Sequence, residues 1–223
     1  MILKNKSEYL NIYSQFLPYI LNVFDNLNSY NLNNFEKNST VLIVVDIING
    51  FAKKGTLYSP NIENLIDPIY DKIKIANNLT IPVLAFADCH DTNAVEFENY
   101  PPHCIKNTDE CKIVDKIHEN CEYALINKNS TNGFFSPEFK DFLINNTNIS
   151  NFIIIGDCTD ICISQLALTL KAYFNNQNLK SNIIVPLNLV DTYDLNEHNS
   201  DLMNIISLYT MHLNGIDIIK NLL

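Results

Sequence analysis

Five apolar runs punctuate the chain: Val41–Asp46, Ile81–Asp88, Tyr123–Lys128, Phe152–Gly156 and Asn182–Pro186. Runs that are rich in β-branched residues and do not alternate with polar ones suit strands covered on both faces, as in a parallel sheet. Between them, apolar residues recur at three- and four-residue spacing over 61–79, 109–119, 137–146, 160–176 and 197–212, which predicts helices. Strands alternating with helices predict a doubly wound, mostly parallel α/β sheet with helices on both faces. Residues 7–36 carry helical spacing ahead of the first strand (Tyr9, Leu10, Tyr13, Phe16, Leu17, Ile20, Leu21, Phe24) and predict one or two helices. The expected organisation is therefore an N-terminal helical extension over 1–36 and one domain over 37–223. The extension is expected to pack on the domain or on a second subunit, so a homo-oligomer is one expectation. No internal repeat and no linker rich in Gly, Pro or Ser divides the rest.

Composition narrows the function. The 223 residues hold 15 Lys+Arg against 25 Asp+Glu, a net charge of −10, and none of the cations is Arg. A phosphate-backbone binder needs a positive surface and favours bidentate guanidinium contacts, so a nucleic-acid partner is disfavoured. No apolar run approaches a membrane span, and the polar N-terminus lacks a signal core, so the expectation is a cytoplasmic protein with no membrane partner. Asn makes up roughly one residue in six, well above usual usage, but it is scattered rather than collected in tracts. Six cysteines occur without a CxxC pair and without an export signal, so free thiols are expected.

The strand ends carry the chemistry. The first run ends on Asp46, the second on Asp88 and the third on Lys128, while the fourth leads into Gly156-Asp-Cys-Thr-Asp-Ile-Cys162. Ligands of open α/β sheets bind outside the carboxyl ends of the strands, so two acids, an ammonium and a thiol are expected on one rim. Cys162 would lie where this turn enters a helix, an environment that favours its thiolate, with Lys128 adding to the effect. Asp46 is a candidate acceptor of the thiol proton, and backbone N–H groups of the turn are candidate oxyanion donors. Asp160 is expected to cap the following helix.

A second cluster follows the second strand. Asp88-Cys-His90, Glu96 and Tyr100-Pro-Pro-His103 place two histidines and carboxylates within sixteen residues. Mixed N/O ligation suits Zn²⁺, Fe²⁺ or Mn²⁺, with zinc foremost. Glu98 competes with Glu96, and Cys89 alternates away from its neighbours. Phe51 and Tyr100 read on their own as core aromatics; Phe134 and Phe135 are candidates to close a pocket. His118 and His212 read as surface positions.

These residues resemble the isochorismatase-like cysteine hydrolases. Asp46, Lys128 and Cys162 are similar to that family's Asp-Lys-Cys triad, Val45-Asp-Ile-Ile-Asn-Gly-Phe51 to its opening motif, and Gly156–Cys162 to its G-x-x-T-D-x-C turn. The resemblance covers roughly residues 40–215 and is closest to nicotinamidases. It implies a six-stranded sheet and a cis peptide at Asp157–Cys158. It also implies an oxyanion hole from the N–H groups of Cys158 and Cys162, and a divalent metal on Asp88, His90 and His103, joined in some members by a Glu at the position of Glu96. Phe51 and Tyr100 match positions that sandwich a pyridine ring. The family's frequent Trp between the first two ligands is Cys89 here. Thr192-Tyr-Asp194…His198 resembles plant members and is expected to be structural. The implied activity is hydrolysis of nicotinamide to nicotinate and ammonia through a thioester on Cys162. Two other readings stand beside it: a related hydrolase of small or ureido amides, and a binding member that kept the fold without catalysis.

Overall fold

The computed structural model describes residues 5–223. Six strands form one parallel sheet: β1 (Thr40–Val45), β2 (Val83–Asp88), β3 (Ala124–Lys128), β4 (Asn151–Gly156), β5 (Asn182–Pro186) and β6 (Asp217–Ile219), in the order β3-β2-β1-β4-β5-β6. The strand order reverses between β1 and β4, and a crevice at their carboxyl ends is where such sheets bind ligands. All six residues of β1 and of β2 are buried, as their unbroken apolar runs predict.

Helices cover both faces. On one side lie α2 (Asn49–Ala52), α3 (Pro60–Asn78) and α4 (Asp115–His118). Pro60 opens α3 where a missing N–H costs nothing, and Ile62, Leu65, Ile66, Ile69, Ile73 and Ala76 form its buried stripe. On the other side lie α5 (Pro137–Asn145), α6 (Ser164–Asn176) and α7 (Ser200–Leu213), which bury Phe139, Leu170 and Met211 with strand residues such as Phe86 and Phe152. Each fully buried side chain of this kind contributes about 1.5–3 kcal/mol from removal of apolar surface from water.

The structure sharpens the local reading at three places. The helical reading of 7–36 yields a single helix, α1 (Lys6–Asp25), capped by Asn5 and burying none of its residues. Beyond it, residues 28–32 hydrogen-bond to the C-terminal segment 220–223, with Tyr30 N–H donating to Asn221 O at 2.8 Å, and Leu32 enters the core. The stretch 109–119 is not the helix its spacing predicts: it supplies only short turns and the one-turn α4, which buries Ile117 beside α3. Strand β6 has three residues and left no periodic signal. All six cysteines are free thiols, and among the described residues no helix is long and apolar enough to cross a membrane.

Candidate active site

Three adjacent strands deliver the buried charges. β2 and β3 pair in register so that Asp88 faces Lys128. Asp46 follows β1 with φ 57°, a left-handed conformation that Asp tolerates better than most residues. Its Oδ1 accepts from Asp88 N–H at 3.0 Å, which locks the two strand ends together. Lys128 Nζ lies 2.8 Å from Asp46 Oδ2, donates to Asp88 Oδ1, and stands 3.6 Å from Cys162 Sγ. All four side chains are buried.

Cys162 comes from the turn after β4. Gly156 has φ +118°, and a Cβ there would fall 2.0 Å from Val45 O, so only glycine lets β4 pass β1 at this point. The Asp157–Cys158 peptide is cis, as the family resemblance implies. A widened turn over Thr159–Ile163 then runs into α6 and aims Cys162 at Lys128. Cys158 N–H has no hydrogen-bond partner among the described residues.

The electrostatics split the two acids. Burial pushes the Asp46 carboxyl up to about 7 even though Lys128 pulls it down. Burial also opposes ionisation of Asp88, but the Lys128 ammonium and the two neighbouring histidines outweigh it and hold that carboxyl below the usual range. Burial raises the Cys162 thiol, with Lys128 acting in the opposite sense. A protonated thiol beside a carboxylate that titrates near neutrality is the combination proton transfer requires.

The second cluster adjoins the first. Ligand atoms of Asp88, His90 and His103 lie within 4.8 Å of one another. His90 Nδ1 donates to Asn129 Oδ1 at 3.2 Å, and His103 Nδ1 donates to Pro101 O at 2.8 Å. Both rings therefore turn an Nε2 lone pair towards Asp88, at 3.6 Å from Oδ1 for His90 and 3.9 Å from Oδ2 for His103. His90 Nε2 is buried with no hydrogen-bond partner, a costly state for a polar atom that a cation would relieve. An oriented imidazole with its other nitrogen tied to an oxygen is the usual preparation of a metal ligand. The residues fit a divalent metal.

Glu96 borders the cavity: its Oε1 lies 3.9 Å from His90 Nε2 and its Oε2 accepts from Thr131 N–H at 3.1 Å. Glu98 is exposed. Phe51 and Tyr100 both line the cavity, with rings 5.8 and 6.2 Å from that of His103. Phe134 and Phe135 do not: Phe134 packs on Phe139 and Tyr173, and Phe135 is exposed. The cavity holds about 230 Å³, and its lining includes Leu57, Ile62, Ile161, Tyr193 and Leu195 beside the acid and thiol groups. Ile161 and Tyr193 lie within sequence motifs that gave them no place in the pocket, and Leu57, Ile62 and Leu195 left no signal in the sequence.

Asp160 is not the helix cap expected of it. Its Oδ1 accepts from Thr192 Oγ1 at 2.6 Å and its Oδ2 from His198 Nε2 at 2.8 Å. Asp157 is buried, with Oδ1 lacking a partner; burial and the nearby Asp46 carboxylate push its carboxyl well up.

A doubly wound sheet with a thiol, an acid and an ammonium gathered at its switch point is an arrangement suited to amide hydrolysis. Residues 40–208 match the Isochorismatase domain, and the chain belongs to that family. It is 27% identical over 217 residues to Nicotinamidase 1 of Arabidopsis thaliana, covering 82% of this chain and 86% of the relative. Its fold is similar to that of N-carbamoylsarcosine amidase from Thermoplasma acidophilum (TM-score 0.66, 23% identity, 82% of this chain and 96% of that one). It is also similar to the pyrazinamidase of Pyrococcus horikoshii in complex with zinc (TM-score 0.67, 21% identity, 82% and 99%).

Proposed function

We propose that the protein is a metal-dependent nicotinamidase that hydrolyses nicotinamide to nicotinate and ammonia. The observation that carries this reading is the placement of Lys128 Nζ, 2.8 Å from Asp46 and 3.6 Å from Cys162, beside a three-ligand cluster on one small cavity. The plant relative's name supports the substrate.

Asp46 takes the proton from Cys162 Sγ, and the sulfur attacks the carboxamide carbon as the C=O π pair moves onto oxygen. The N–H groups of Cys158 and Cys162 hold that oxyanion; loss of one such donor typically costs about 10²–10³ in rate. Asp46 returns the proton to nitrogen as the C–N bond breaks, releasing ammonia and leaving a thioester. Water then adds to the thioester and gives a proton to Asp46; the C–S bond breaks, Asp46 returns that proton to the departing sulfur, and the acid product loses its own proton to solvent and leaves as nicotinate. Lys128 keeps the net charge of the buried group near neutral through these steps. Asp88, His90 and His103 would hold the metal, with Glu96 at its edge; when bound, it supplies a Lewis-acidic anchor for a ring nitrogen. Phe51 and Tyr100 flank the ring.

A hydrolase of aliphatic or ureido amides would use the same three residues, and the archaeal carbamoylsarcosine amidase shares the fold. His103, set between Phe51 and Tyr100 on the cavity wall, favours a heteroaromatic substrate. Ammonia release from nicotinamide against a ureido substrate, with Cys162→Ala as control, separates the two. A preference for the ureido compound would refute the nicotinamidase reading.

A further inference from the structure

The loop after β5, residues 190–198, is tied down more firmly than a surface connection needs. Thr159 N–H donates to Asp191 O at 3.0 Å, and Asn61 Nδ2 donates to Thr192 O at 2.9 Å. His198 is the centre of the fastening. Its Nε2 lies 2.8 Å from Asp160 Oδ2 and its Nδ1 2.9 Å from Tyr193 O. Its ring lies against that of Tyr193, centroids 3.8 Å apart and planes within 12°. Both ring nitrogens of His198 are thus engaged with oxygens, and its role is to hold Tyr193. Asp160, two residues before Cys162, turns both carboxylate oxygens to this loop: one to His198, the other to Thr192. Tyr193 and Leu195 in turn border the cavity beside Cys158 and Ile161.

We propose that Tyr193, clamped by Asp160 and His198, is the wall that decides which substrates reach Cys162. It restricts them to flat amides of a single ring. The proposal deepens the nicotinamidase reading and rests on Cys162 as nucleophile. The cavity of about 230 Å³ lies below the smallest usual ligand pockets, about 300 Å³, so moving one aromatic wall changes what fits. Because the clamp anchors the wall to the turn that carries the thiol, wall and sulfur keep a fixed separation. His198 is a positioning residue that acts through Tyr193.

The test uses the full chain as wild type, Tyr193→Phe, Tyr193→Ala and His198→Ala, each checked for an unchanged thermal transition. Two readouts are taken. One is kcat and KM for nicotinamide and for a 5-phenyl nicotinamide. The other is the rate of alkylation at Cys162, located by peptide mass spectrometry, with iodoacetamide and with the bulkier N-phenylmaleimide.

Both alanine variants are expected to raise the nicotinamide KM about tenfold with kcat held within about threefold. They are also expected to raise the bulky-to-small labelling ratio about fivefold or more, while Tyr193→Phe stays near wild type on both readouts. An unchanged labelling ratio in the alanine variants overturns the proposal, as does a uniform fall in kcat for both amides with no change in KM. Should the wild type hydrolyse neither amide, the nicotinamidase reading fails, and the labelling ratio still decides whether Tyr193 gates the thiol.

Discussion

Lys128 Nζ meets Asp46 Oδ2 at 2.8 Å with both side chains essentially out of contact with water. The two residues are 82 positions apart in sequence and sit at the ends of strands separated by β2. An ammonium in that setting has to be compensated, and burial alone would lower its pKa; Asp46 and Asp88 reverse the direction and keep it charged. The pair is therefore a structural element as well as a chemical one.

Lys128→Met removes the only cation among three buried acids and thiols. Breaking one partner of a buried ion pair costs about 3–5 kcal/mol, because the other charge is left without compensation. The variant is expected to unfold at lower denaturant by that amount and to lose amide hydrolysis. Equilibrium unfolding in urea checks it, and wild-type stability would contradict the role given to Lys128.

The acid limb of the pH profile should report Asp46. Burial raises its carboxyl to about 7, above its ordinary value, and the proposed base works only when ionised. The value of kcat/KM is therefore expected to fall as pH drops below about 7, approaching tenfold per unit. A profile that stays level down to pH 5 would remove Asp46 from this role.

Much of this was legible in the sequence, for a physical reason. A strand of a parallel sheet is buried on both faces and reads as a continuous apolar run, so a polar residue at its end stands out, as Asp46, Asp88 and Lys128 do. The histidines stood out because they fall within one short loop. What could not be read depends on distant pairing: Asp160 looked like a local cap but bonds His198, 38 positions away. Tyr193 lay in a segment read only as structural, and Leu195 carries no signal apart from the loop that folds back over the turn. Phe134 and Phe135 follow Lys128 in sequence, yet Phe134 packs into the core around Phe139 and Phe135 turns out to solvent.

His103→Ala and Asn129→Ala should separate direct ligation from support. The first removes a candidate ligand and the second the oxygen that orients His90 at 3.2 Å. Metal affinity is expected to fall about 10–100-fold for Asn129→Ala and further for His103→Ala. Metal content by elemental mass spectrometry after dialysis against graded chelator measures both. Full nicotinamide hydrolysis without bound metal would overturn the assignment of Asp88, His90 and His103.

Gly156→Ala tests the turn. A methyl group would lie 2.0 Å from Val45 O, which is backbone of the central strand and has nowhere to move. The variant is expected to lose several kcal/mol, a cost reserved for core disruption or backbone strain. A thermal transition within about 2 °C of wild type would show that β1 and β4 are less tightly apposed than described.

The most direct test of the whole account is mass spectrometry of the chain during turnover of nicotinamide, read alongside ammonia release. The expected result is a nicotinoyl adduct on Cys162 of the wild type, with ammonia production reduced by about 10⁴-fold or more in Cys162→Ala. Wild-type ammonia release from the Cys162→Ala variant, or an acyl group trapped on any other cysteine, would contradict it.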